Sequence, residues 1–139
     1  MSESELLEAA TTRKIIGAFY HVYSQLGYGF SEPVYQRALA RVLERTGSQV
    51  SREWPASVAF EGEVVGEFRL DLVVDACVVV EVKAVEHFHP AHESQLLNYL
   101  RASGIEVGLL LNFGPKAAYR RLVMTRRAGR GYDALRSSG

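Results

Sequence analysis

The chain contains one cysteine, Cys77, in 139 residues. An internal disulfide and a zinc cluster built on several thiolates are thereby excluded. No apolar run is long enough to span a bilayer, and the longest strongly apolar uncharged stretch, 76–80, is strand-sized. The opening MSESELLEAA lacks the basic region of a secretory signal. Internal repeats and low-complexity segments are absent. A net charge is lacking too, with 16 Lys and Arg against 16 Asp and Glu. The placement is nevertheless uneven. Glu3, Glu5 and Glu8 open the chain, whereas seven basic residues from Lys116 onward face one acid, Asp133. A basic end can attract phosphate on a neutral chain, although a solvated tail would look the same. The expectation is a soluble, cytoplasmic, non-membrane protein of one domain, 1–139, with a basic tail from about 126.

What is present is a globular composition, 47% hydrophobic. Ile15, Ile16, Phe19, Tyr20, Tyr23 and Leu26 recur at helical spacing and predict a helix over 5–26, closed by Gly27 and Gly29. Ser31 and Pro33 mark the start of a second, with Val34, Ala38, Val42 and Leu43 facing the core and Gly47 ending it. Short strands are expected at 50–53 and 57–60, with a turn at Glu61-Gly62-Glu63. Phe68, Leu70, Leu72 and Val74 alternate with Arg69, Asp71 and Val73, predicting a half-buried strand. Another strand begins at Val78. A helix over 90–102, a fully covered strand over 107–111 and a last strand over 119–125 complete the order. This order gives an α/β domain, a mixed sheet flanked by helices.

The tight turn at Asp75-Ala76-Cys77 invites a register argument. If Val74 pairs with Val78, Asp71 falls opposite Glu81 and Arg69 opposite Lys83, all four on one face. Directly opposed side chains have Cβ atoms about 4.5–5.5 Å apart. Two carboxylates that close repel unless a cation lies between them. Hard oxygen ligands suit magnesium or manganese. Such an ion lowers the pKa of water and offsets phosphodiester charge. Lys83 could then act on the attacking water or on the phosphate. The competing reading is a solvated salt-bridge ladder of the same four residues.

Two further motifs weigh on the choice. Gly29 to Tyr35 reads G-x-x-E-x-x-Y, and Gln95 to Tyr99 reads Q-x-x-x-Y. Together with Asp71, Glu81 and Lys83 they resemble the GxxExxY family of the PD-(D/E)xK nuclease superfamily, over roughly residues 11 to 125. The resemblance implies a restriction-endonuclease-like fold and a Mg2+- or Mn2+-dependent hydrolysis of nucleic-acid phosphodiesters, with DNA favoured over RNA. It implies Glu32, Asp71 and Glu81 as metal ligands, Lys83 as a catalytic residue, and Gln95 beside the active centre. Tyr99 and His92, on the helix face of Gln95, join Arg69, Arg120 and Arg121 as candidate nucleic-acid contacts. Leu70 stands where the superfamily's name has proline.

Each assignment has a plainer rival. Glu32 would suit the first turn of a helix in any protein, and Tyr99 could simply pack beside Leu96 and Leu100. His87, His89 and His92 form H-x-H-x-x-H, a weaker pattern for zinc or nickel. At the level of function, the alternatives are a silent nuclease-fold module that binds nucleic acid or a partner protein, and a homodimer joined through apolar strand edges.

Overall fold

The N-terminal helical periodicity produces α1 (Ala9–Leu26), and the Ser31-Glu32-Pro33 start signal produces α2 (Glu32–Arg45). The rest is β1 (Val50–Phe60), β2 (Glu63–Val74), β3 (Val78–Lys83), α3 (Pro90–Ser103), β4 (Val107–Asn112), β5 (Ala118–Arg127) and β6 (Gly131–Ser138). The computed structural model describes residues 2, 7–127 and 131–139, with side chains described through 125 and from 137. Glu3, Glu5 and Arg130, and the side chains of Arg126, Arg127 and Arg136, lie outside the described residues.

The six strands form one sheet in sequence order. Only β3 and β4 are parallel, joined by α3; all other neighbours are antiparallel. This is the α/β mixed sheet flanked by helices that the sequence predicts. In the described part of the C-terminal segment, β6 pairs with β5 from Arg120–Ser138 to Arg127–Gly131. The two short strands expected at 50–53 and 57–60 are one. Pro55 does not break it, because β1 lies at the edge of the sheet, where a missing N–H is tolerated. No described helix is long and apolar enough to cross a membrane.

Two cores sandwich the sheet. Ile15, Phe19, Tyr35, Leu39 and Leu43 of α1 and α2 pack on Leu72, Val74, Val80, Val82, Leu109 and Leu111. On the other face, Leu96, Leu97 and Leu100 of α3 pack on Leu70, Val73, Val79, Leu110 and Leu122. β4 is buried at every position, as a strand covered on both faces must be. β2 departs from the simple alternation. Leu72 and Val74 face α1 and α2, but Leu70 belongs to the α3 core, with Phe68 packed against it. The strand changes face across Asp71.

The helices are also rotated from the predicted stripes. In α1 the buried set is Thr12, Ile15, Ala18, Phe19 and Val22, and Tyr20 and Leu26 are exposed. In α2 the stripe is Tyr35, Leu39 and Leu43 with Gln36 and Ala40, and Val34 is turned outward. Tyr35 sets this rotation. Its ring stacks on Phe113 at 4.3 Å and 14°. Its hydroxyl donates to the Gly27 carbonyl at 2.8 Å and accepts from the Phe30 N–H at 3.2 Å. The tyrosine of the G-x-x-E-x-x-Y motif therefore pins the α1–α2 turn. Tyr35→Phe strips both bonds inside the core and should destabilise the protein by about 1–3 kcal/mol in urea unfolding.

Candidate active site

The β2–β3 hairpin has the register expected from its turn. Val74 pairs with Val78, Val73 with Val79 and Leu72 with Val80. Asp75 and Ala76 take left-handed backbone, at φ 50° and 57°, to close the turn. Beyond Leu72 the ladder stops. On its other side Asp71 also meets a break. β1 pairs Arg52 with Leu72 and Trp54 with Leu70, and Glu53, between them, is left-handed at φ 54°. Asp71 thus sits where regular pairing is lost on both flanks.

The two carboxylates fill the gap. The Asp71 N–H donates to Glu81 Oε1 at 3.2 Å, and the Val82 N–H donates to Asp71 Oδ2 at 2.9 Å. Each acid holds the other's strand, so their proximity does not depend on the backbone ladder. Glu81 is only 5% exposed and Asp71 is half-buried. Burial first, and then the Asp71 charge, push the Glu81 carboxyl up to about 9; Lys83 works weakly the other way.

Among the described residues no Lys or Arg nitrogen makes an ion pair with either carboxylate; the salt bridge present is Arg120 to Glu93 at 3.7 Å. The solvated ladder that competed for these residues does not form. Arg69 does not face Lys83 as the extended register would require. The β2–β3 ladder ends at Leu72–Val80, before it reaches Arg69, and the Arg69 guanidinium donates to the Glu53 carbonyl at 3.3 Å.

Lys83, half-buried, ends β3 in register with Asn112 of β4. Glu32 reaches the same point from the first turn of α2, its Oε2 accepting from the Ala84 N–H at 3.0 Å. It approaches the lysine end of the site without closing onto the acid pair. Among the described residues no three His, Cys, Asp or Glu side chains are grouped tightly enough to hold an ion by themselves.

Helix α3 roofs this face. Tyr99 is half-buried and stacks on Phe68 at 4.3 Å and 10°. Burial, followed by the charges of Glu81 and Asp71, raises its hydroxyl above the usual range, which puts the ring within reach of the pair's field. Gln95, one turn earlier, is exposed. His89 and His92 are explained by the helix start. His89 Nδ1 accepts from the Ala91 N–H and His92 Nδ1 accepts from the His89 N–H, each at 3.0 Å, a capping box made of imidazoles. Burial first, and then the charges of Lys83 and His89, lower the His92 pKa.

Arg120 and Arg121 of β5 part company. Arg120 lies near the start of α3, with its guanidinium 5.0 Å over the Phe88 ring. Arg121 pairs with Leu109 on the opposite face and donates to the Leu7 carbonyl, away from the carboxylates.

One supporting residue had no place in the sequence reading. Asn112 is 2% exposed, and its amide donates to the Val85 carbonyl at 2.8 Å and accepts from the Val85 N–H at 3.0 Å. It also accepts from the Gly114 N–H at 3.1 Å. These bonds fix the backbone just after Lys83. A Cβ at Gly114 would come 1.9 Å from the Val85 carbonyl oxygen, so only glycine fits there. The signal was available: a lone asparagine ending an apolar strand has backbone to satisfy. Phe68 had no such signal.

Asp71 of β2 and Glu81 and Lys83 of β3 thus stand on adjacent strands, with Glu32 of α2 beside the lysine end. The model of the PD-(D/E)XK nuclease superfamily matches residues 9–122, and the chain belongs to that superfamily. Members of it generally use divalent metals. No curated protein and no solved structure matches the chain.

The raised Glu81 carboxyl makes stability pH-dependent. A carboxyl above its ordinary 4.5 favours the protonated folded state. Its contribution is intact below pH 4.5 and is lost as pH rises through about 9. In EDTA, the melting temperature should fall between about pH 6 and about pH 9, and Glu81→Gln should flatten that slope and raise the alkaline value. Differential scanning calorimetry reads both.

Proposed function

We propose that the chain hydrolyses phosphodiester bonds in nucleic acid, with DNA the first substrate to test, using Mg2+ or Mn2+ held by Asp71 and Glu81 with Glu32 alongside. One observation carries the reading. Two carboxylates each accept a backbone N–H from the other's strand, one of them is buried, and among the described residues neither has an ion pair with Lys or Arg. Such an arrangement is costly without a proton or a cation. The donor set consists of hard oxygens, which suits these ions. A site with one or two carboxylates, its other positions left to water and phosphate, is the usual way magnesium binds. When bound, the ion would acidify water and offset charge on the phosphodiester.

The protein's own contribution is positional. Asp71 and Glu81 hold each other across the fork, so ligand geometry is set before any substrate arrives. Lys83 holds the scissile phosphate or orients the attacking water. Glu32 fixes the chain leaving Lys83 through the Ala84 N–H, and Asn112 fixes the next residue. Gln95 and Tyr99 offer an exposed amide and a braced aromatic ring along one side of α3 for nucleotide contact. In the reaction a water oxygen bonds to phosphorus, the ester P–O bond breaks, and the leaving oxygen takes a proton.

Purified protein should cleave DNA with manganese, and EDTA should stop it. Asp71→Ala should abolish cleavage. Lys83→Ala should slow it by about 10²–10⁴-fold while leaving the melting temperature near that of the wild type. Failure to degrade DNA or RNA, single- or double-stranded, with either metal would overturn the proposal.

A further inference from the structure

Helix α2 turns one long side to solvent, and that side is basic. Arg37, Arg41 and Arg45 recur every four residues and fall in a single stripe, all exposed. Arg52, exposed on the edge strand β1, joins them, and the four arginines line an open cleft of about 520 Å³. The side is fixed by register. Arg52 pairs with Leu72, whose side chain belongs to the α1–α2 core, and cross-strand partners share a face. Glu44 is the one carboxylate lining the cleft. Among the described residues no ion pair reaches any of the four guanidiniums. The adjoining groove between α1 and α2, about 340 Å³, adds Arg13 and Lys14 beside Arg45.

Like charges gathered this closely repel, and nothing in the fold requires them there. The chain as a whole is neutral, and several of its acids stand elsewhere, on the β1–β2 hairpin at Glu53, Glu61, Glu63 and Glu67. A polyanion relieves the repulsion, and the guanidinium fork fits phosphate oxygens in pairs. The stripe has a matching length. From Arg37 to Arg45 is eight residues, about 12 Å of helix, which corresponds to three or four nucleotides at about 3.4 Å each. It is also connected to the site, because α2 begins at Glu32, whose carboxylate holds the backbone next to Lys83.

The geometry points to this surface of α2 and β1 as a docking track for the phosphate backbone of nucleic acid. The identity of the polyanion rests on the nuclease reading above. The track lies on the sheet face opposite the carboxylates, so a bound strand passes the N-terminal end of α2 between the two. Recognition is of the backbone, independent of base sequence.

The test is fluorescence anisotropy of a labelled DNA duplex of about 20 base pairs, in EDTA so that nothing is cut, as a function of salt. The variant R37A/R41A/R45A/R52A should bind at least about a hundredfold more weakly near 0.1 M salt and lose roughly three from the slope of log K against log salt. Alanine is the best helix former, and an unchanged circular-dichroism melt checks that the fold is kept. If the variant binds with wild-type affinity and slope, the track is overturned, whether or not the wild type cuts DNA with manganese. If the wild type neither binds nor cuts, the nuclease reading falls and the track with it. If polyglutamate competes as well as DNA at equal charge, the surface belongs to an acidic protein and the proposal fails.

Discussion

Two carboxylates occupy a place in the sheet where backbone pairing fails, and the architecture around them makes that tolerable. Asp71 has no regular partner on either flank, because β2 and β3 separate after Leu72–Val80 and Glu53 turns left-handed on β1. The side chains replace the missing bonds, each acid accepting an N–H from the other's strand or its immediate neighbour. Separating the strands frees the site from the ladder and gives it an open end. It also sets two carboxyl groups together with no ion-paired Lys or Arg among the described residues.

The remaining site elements hold the exit of β3 in place. Glu32, Asn112 and the tight fit at Gly114 all act on residues 84 and 85, immediately after Lys83. The G-x-x-E-x-x-Y motif gains a physical meaning from this. Gly29 is at φ 111°, a conformation side-chain-bearing residues rarely adopt. Tyr35 anchors the turn into the core against Phe113. Between them Glu32 is presented to the Ala84 N–H. Three spaced letters describe one hinge that delivers a carboxylate to the end of a strand.

Much of this was legible in the sequence for identifiable reasons. Alternation and turn residues locate β2 and β3, and the three-residue turn fixes their register, so Asp71 and Glu81 could be brought together by arithmetic. The same arithmetic failed at Arg69, because a register says nothing about where a ladder ends. Helix rotation was also hidden. Tyr20, Leu26 and Val34 are as apolar as the residues that are buried, and only the aromatic contact of Tyr35 and Phe113 selects the face. Arg120 and Arg121 are adjacent in sequence and on opposite faces of the sheet, a period-two consequence that a shared basic character obscures. The H-x-H-x-x-H pattern suggested a soft-metal site, but spacing alone could not show that His89 and His92 spend their Nδ1 atoms capping α3. The stripe on α2 was readable from its four-residue spacing, but Arg52 joins it only through the fold.

The proposed nuclease chemistry requires that the acid pair accept a hard cation. A crystal soaked in manganese, measured for anomalous scattering, tests this directly. One manganese peak held by the carboxylates of Asp71 and Glu81 is the expected result. Full manganese exposure with no peak there, and Lys83 or Arg69 swung in to pair with the carboxylates, would contradict it.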